Sequence, residues 1–203
     1  MLQTLVAGGD WSGQVDRADD VFIFCVVALP DVEAWNDSCR DLRHQLGMAQ
    51  NKEFHAHSMK NDAQRLQVLN AGRELGMRVG ALILSNRAEE LNGAPSYESI
   101  ALELLGLFFP VCLLKTLWFD QEIQGRTREQ KFQADVRRCF KAIFPNASLK
   151  ATPRASHASN LIQLADVMAY AWRTQTRGTL EGAALNRFLK EMEVGTENVI
   201  VRR

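Results

Sequence analysis

The sequence has few cysteines, no excess of either charge and no apolar run long enough to cross a membrane. Each shortage excludes something. Cys25, Cys39, Cys112 and Cys139 show neither C-x-x-C spacing nor the density of a disulfide framework. Cys25 and Cys112 lie inside apolar runs, where a free cysteine serves as a small core residue. The 24 Lys plus Arg equal the 24 Asp plus Glu, and a nucleic-acid enzyme with that balance must concentrate its basic residues locally. The longest apolar runs, "VFIFCVVAL" and "LLGLFFPVCLL", fall well short of a membrane span, and Pro110 breaks the second. No basic stretch followed by an apolar one opens the chain, so a soluble, cytoplasmic protein with no membrane partner is expected. No repeat, low-complexity tract or Pro/Gly/Ser linker divides the 203 residues, a length that suits one domain.

What is present alternates between strand and helix patterns. Gln3 to Gly9 suggests a first strand, in which Gly8-Gly9 either bend the chain or admit a close neighbour. Val21 to Leu29 is β-branched and aromatic throughout, as a central strand covered on both faces requires. Pro30 stops it, and Asp31 can cap a helix running to about Leu46. "NKEFHAHSM" reads as an extended piece or loop, followed by a helix over Asn61 to Leu75 and a strand over Arg78 to Leu84. Pro95-Ser96 opens a helix in which Tyr97, Ile100, Ala101, Leu104, Leu105 and Phe108 share one face, and Pro110 ends it. "LLKTLWFD" is a strand finishing at Asp120, Glu122 to Arg128 a polar loop, and Glu129 to Phe144 a helix. Ser148 to Thr152 suits a short edge strand, and further helices are expected from Ser159 and over Leu180 to Met192, before a strand over Asn198 to Val201. This interleaving predicts a single α/β domain, a mixed sheet flanked by helices.

The segment "NLIQLADVMAYAW", Asn160 to Trp172, raises the question of function. It is apolar nearly all round yet carries Asp166, and an ionised carboxylate there is costly unless something pairs with it or water reaches it. Gln163, Asp166, Tyr170 and Arg173 form one stripe at helical spacing. A solvent-facing stripe is commonly rich in Lys and Glu; this amide-bearing, aromatic one suits a polar cleft better. Asp10 follows the first strand beside a Ser12-Gly13 turn, and Asp120 closes another strand, where ligands collect in sheets of parallel character. Both acids are equally compatible with ordinary turn formation. Glu53, His55 and His57 fall on one side of "EFHAH" if it is extended, and could bind a metal through carboxylate and imidazole or serve as surface residues. His157, just before the Asn160 helix, could orient a phosphate or a water.

Four pieces, "GDWSG", "KEFHAHS", "WFD" and "SHASNLIQLADVMAYA", resemble in order and spacing the bacterial family called domain of unknown function 3800. The resemblance covers roughly residues 5 to 175, and "QLAD" followed by small and apolar residues is its most telling part. It implies a ribonuclease H-like fold and a metal-dependent nuclease in which Asp10, Glu53, Asp120 and Asp166 are the four acids of the site. The chain departs from the pattern in two places. Trp11 stands where the family usually has a second acid, and the helix from Asp31 interrupts the usual opening of three consecutive strands.

Two divalent ions roughly 3.5–4 Å apart can activate a water and stabilise the leaving oxygen of a phosphoryl displacement. Mg²⁺ or Mn²⁺ would suit four carboxylates, because magnesium takes oxygen ligands and keeps several waters. Asp10 is then the bridging ligand, with Asp120, Glu53 and Asp166 completing the two coordination shells. Ser12, His55, Gln163 and His157 are supporting or substrate contacts, and Lys52, Lys60 and Arg154 are potential phosphate ligands. The expected partner is nucleic acid, RNA or DNA. Two other readings stand beside this one. A catalytically inactive binding or assembly module is favoured by Trp11 and the neutral charge, with the apolar helices from Tyr97 and Asn160 available for a homo-oligomer or partner interface. A Zn²⁺ hydrolase would use His55, His57 and an acid.

Overall fold

The structure is a computed structural model that describes residues 4–13, 21–85, 96–120, 125–180 and 182–203. Its centre is the most apolar stretch of the chain. Strand β2 (Phe22–Leu29) is buried at every residue, because a segment apolar on both faces must be covered on both. β1 (Thr4–Ser12) and β3 (Arg78–Leu84) pair antiparallel with its two edges. β4 (Leu113–Phe119) adds parallel to β1, β5 (Lys150–Pro153) parallel to β4, and β6 (Val199–Arg202) parallel to β3. The six-stranded mixed sheet therefore has the order β5-β4-β1-β2-β3-β6.

Four helices cover one face: α1 (Val32–Gln45), α2 (Asp62–Glu74), α5 (Asn160–Thr176) and α6 (Ala183–Val194). The other face carries α3 (Tyr97–Phe108) and α4 (Arg126–Ile143). Alternation along the strands feeds the two cores separately: Ile23, Cys25 and Val27 face α5, whereas Phe22, Phe24 and Val26 face α3 and α4. Asp31, Asn61, Ser96 and Ser159 each accept a hydrogen bond from a backbone N–H in the first turn of their helix. Such caps explain why the helices begin where they do. Among the described residues no helix is long and apolar enough to cross a membrane.

Most expected elements are found close to their predicted bounds, and three differences have physical causes. β1 does not end at Gly9 but continues through Asp10 to Ser12, held in the ladder by β2 (Asp10 opposite Cys25). Asp10 is thus a strand residue, not one that follows the strand. α4 starts ahead of Glu129, at Arg126, while residues 122–124 of the expected polar loop, together with Gln3, Pro95 and Glu181, lie outside the described residues. Finally, α1 and α2 separate β2 from β3 in sequence, yet the three strands remain neighbours in the sheet. The helical pair is an insertion that leaves the antiparallel meander intact.

Gly8 controls how α5 lies on the sheet. A Cβ at Gly8 would stand 2.6 Å from both the carbonyl carbon and the carbonyl oxygen of Leu161, so only glycine allows the helix backbone to rest on β1. Backbone atoms cannot rotate away as a side chain would. Gly8→Ala is expected to lower unfolding stability by about 3 kcal/mol, the upper part of the range for overpacking. Urea denaturation checks this; an unchanged midpoint would mean that α5 has room to retreat.

Candidate active site

The contact at Gly8 determines what lies beneath the first turns of α5. Side chains alternate along β1, so Asp10 and Ser12 share the α5 face with Gly8. On β4 that face belongs to Trp118, which packs against the α5-side core. The N–H of Asp120 donates to the Gly9 carbonyl at 3.1 Å, so the ladder runs one step past β4 and holds Asp120 beside Asp10. Both acids border a cavity of about 230 Å³ that Glu53 and Asp166 border as well. It opens at the carboxyl ends of β1 and β4, where the strand order turns outward in both directions, the usual place for a ligand in such sheets.

Glu53 arrives from the segment between α1 and α2, and the polar stripe of α5 fastens that segment. The Phe54 N–H donates to Gln163 Oε1 (2.9 Å) and the Ala56 N–H to Asp166 Oδ2 (2.9 Å). Gln163 Nε2 donates in turn to the Ser156 carbonyl (3.0 Å), tying in the turn before α5, while Ser156 Oγ reaches Glu53 Oε2 at 3.4 Å. Two buried arginines hold the segment from the other side. Arg43 Nε donates to the Lys52 carbonyl (2.7 Å) and its Nη2 to Asn160 Oδ1 (2.7 Å), with the guanidinium 4.5 Å from the Phe54 ring centre. Arg65 Nη2 donates to the carbonyls of Ala56 (2.8 Å) and Met59 (3.1 Å), and its guanidinium lies 4.5 Å from the Tyr170 ring centre.

These ties correct one expectation. Glu53, His55 and His57 are not the one-sided row of an extended piece, because residues 56–58 form a single 3₁₀ turn drawn in by Asp166 and closed by Ser58 N–H on the His55 carbonyl (2.9 Å). All three nonetheless border the cavity. The His55 and His57 ring centres are 5.9 Å apart, and His57 stands edge-on to Tyr170 at 4.6 Å.

The site is electrostatically loaded. Asp10 is buried, and its Oδ1 accepts the Trp11 N–H at 2.7 Å. Burial raises the Asp166 carboxyl above its ordinary value and the charge of Asp120 adds to this, while the Ala56 N–H and the two histidines oppose it. Burial also lowers His57, against the pull of Asp166. The Cys25 thiol is pushed well up by burial and by Asp10, as befits an inert core residue. Among the described residues no group of three or more His, Cys, Asp or Glu is gathered closely enough to hold a metal ion as it stands. Four acids, Asp10, Glu53, Asp120 and Asp166, border the cavity.

Of the expected site residues, the structure brings together Asp10, Glu53, Asp120, Asp166, Ser12, His55 and Gln163. His157 does not join them; it borders a second cavity on the far side of the 156–158 turn, as does Arg154. Lys52 and Lys60 border neither cavity. Trp11 packs its ring into the opposite core, 4.1 Å from Phe24 and edge-on to Tyr97 at 5.2 Å. Sequence reasoning missed Arg43, Arg65 and Ser156. A signal existed for the two arginines: each falls on its helix's apolar stripe, Arg43 with Trp35, Cys39 and Leu42, Arg65 with Val68, Leu69 and Gly72.

No protein-family model matches the chain, and no curated protein matches it by sequence. Among solved structures it is similar to a chain of the PCNA:RNase HII complex from Archaeoglobus fulgidus, with a TM-score of 0.59 and 15% identity over 92% of this chain and 87% of that one. At that identity the likeness concerns the fold. The chain is a single α/β domain with a ribonuclease H-like mixed sheet flanked by helices.

Asp166 yields a prediction about stability. A carboxyl raised in the fold binds its proton more tightly than in the unfolded chain. That contribution is full below the unfolded value and lost as the pH rises through the folded one. At neutral pH the ionised group is therefore a net cost in metal-free protein. Asp166→Asn, which keeps an acceptor for the Ala56 N–H, is expected to raise stability at pH 7–8, with the gain fading in acid. Thermal melts in EDTA across pH check this, and a destabilised variant at pH 8 would contradict it.

Proposed function

We propose that the chain is a metal-dependent nuclease that hydrolyses RNA or DNA by a two-metal-ion mechanism, and that it belongs with the domain of unknown function 3800 family. The observation that carries this reading is the convergence of Asp10, Glu53, Asp120 and Asp166, from four separate parts of the chain, on one cavity. Their oxygens suit Mg²⁺ or Mn²⁺, and magnesium keeps waters of its own, so the protein need not enclose it. A carboxyl raised by burial and a second carboxylate, as Asp166 is, is one that a cation would relieve. Such ions would supply a water ionised at neutral pH and a polarised phosphoryl oxygen.

The chain's own residues do the rest. Asp10, buried and fixed by the Trp11 N–H, would be a principal ligand of such ions. Asp120, Glu53 and Asp166 complete the set. Gln163 positions Glu53 through the Phe54 N–H, and Arg43 and Arg65 keep the Glu53 segment from swinging out. Ser12, His55 and Arg173 border the same cavity and are placed to meet the substrate's oxygens. Trp11, the residue that suggested a non-catalytic module, has its ring in the opposite core and leaves the acids their cavity.

Calorimetric titration with Mn²⁺ and hydrolysis of a panel of RNA, DNA and hybrid oligonucleotides test the reading. Wild type is expected to bind Mn²⁺ and cleave at least one substrate. Asp10→Asn is expected to lose a metal site and about 10³-fold or more in rate while remaining folded. If Asp10→Asn binds Mn²⁺ and cleaves as wild type does, the assignment of the acids is wrong.

A further inference from the structure

The second cavity, about 180 Å³ in volume, lies against the first and has the opposite character. The two share three walls. At the end of β4, Trp118 borders the second cavity and Asp120, one residue past the strand, the first; on the turn before α5, His157 the second and Ser156 the first; on α5, Leu161 the second and Gln163 the first. Four acids border the first cavity, whereas among the described residues no acid borders the second. Its charged residue is Arg154, whose guanidinium stacks 4.7 Å from the Trp118 ring centre. Among the described residues no carboxylate pairs with Arg154; its backbone N–H donates to the Phe119 carbonyl at 2.9 Å, which fixes it against the end of β4. A stacked arginine keeps its donor edge turned outward, in the planar form that matches phosphate oxygens.

Two further features of the cavity favour an anion. The first turn of α5 borders it with Asn160 and Leu161, and a helix start presents outward N–H groups and partial positive charge. The Asn160 side chain is locked, donating to Asn36 Oδ1 (2.8 Å) and accepting from Arg43 Nη2 (2.7 Å), so this wall is rigid before any ligand arrives. Arg43 also anchors the Lys52 carbonyl beside Glu53, which links the two cavities mechanically.

We propose that the Trp118–Arg154–His157 cavity binds a phosphate group of a nucleic-acid strand, one or two nucleotides from the phosphodiester that lies among the four carboxylates. The spacing suits this. Trp118 and Asp120, which border the two cavities, are two residues apart, and two residues along a strand span about 6.6 Å, a distance that one nucleic-acid strand can bridge. The cavity also meets the difficulty raised by a formal net charge of zero, since it provides the local positive site that a neutral nuclease needs. The inference rests on the nuclease reading for the path of the strand, but phosphate binding itself does not require the acids.

The test uses the full chain in EDTA, with tetrathymidylate and inorganic phosphate as probes, followed by NMR through the Trp118 indole N–H and the Arg154 Nε–H. Both resonances are expected to shift saturably with either probe. Arg154→Ala and, separately, the exposed His157→Glu are expected to weaken tetrathymidylate binding at least fivefold, and Arg154→Ala to reduce the salt slope by about one. Unchanged binding in both variants, or shifts confined to residues around Asp10 and Asp166, overturns the proposal. Mn²⁺-dependent hydrolysis is measured separately on the same proteins. Binding that depends on Arg154 without any hydrolysis by wild type supports this site and counts against the nuclease reading alone. Hydrolysis that ignores Arg154 and His157, in both rate and KM, counts against this site alone.

Discussion

The rest of the site depends on one contact, the backbone of α5 lying on β1 at Gly8. With no Cβ in the way, Leu161 comes down onto the strand, and the helix is buried on nearly every side. A helix so placed brings Gln163 and Asp166 over the ends of β1 and β4, where Asp10 and Asp120 already stand. It also turns the same two side chains toward the α1–α2 segment, which they capture through the N–H groups of Phe54 and Ala56. Glu53 thus reaches the cavity through backbone hydrogen bonds and not through the reach of a flexible side chain. Preorganisation of this kind is what stabilisation of a charged transition state requires.

The arrangement is held together by charge placed with some economy. Arg43 and Arg65 are buried without a place in the carboxylate cavity: Arg43 donates to the Lys52 carbonyl and to the side chains of Asn160 and Gln163, and Arg65 to the carbonyls of Ala56 and Met59 and to Asp62. Had either been aimed at Asp10 or Asp166, it would have neutralised the acids and removed their use as cation ligands. The charge of these two is instead set behind the loop, while Arg154 lies in the neighbouring cavity and Arg173 of α5 borders the carboxylate cavity itself. The cost of leaving the acids close together falls on Asp166, raised by burial and by Asp120, and sites that bind cations commonly accept such a cost in the absence of the ion.

Much of this was legible in the sequence, and the gaps have physical causes. The apolar run of β2, the caps Asp31 and Ser159, and the one-faced pattern from Tyr97 to Phe108 report burial directly, and the elements follow them. The stripe Gln163-Asp166-Tyr170-Arg173 was unusual enough in composition to suggest a cleft, and three of its four residues border one. Long-range pairing was not legible. Nothing local says that Gln163 meets the Phe54 N–H or that Arg43 meets Asn160, because these partners are brought together only by the packing of α1 and α5. The 3₁₀ turn at 56–58 was missed for the same reason, since the Asp166 carboxylate that draws in Ala56 comes from a helix more than one hundred residues away. His157 was grouped with the acids by nearness in sequence to the α5 motif, whereas the turn before α5 sends Ser156 and His157 to opposite sides.

The central claim is that the four acids form a cation site. Anomalous diffraction from crystals soaked in Mn²⁺ tests it most directly, because it locates the ion without reference to substrate or rate. The account predicts manganese in the cavity, bonded to Asp10 and to at least one of Asp120, Glu53 and Asp166. Manganese bound elsewhere on the molecule, with that cavity holding none, would contradict it.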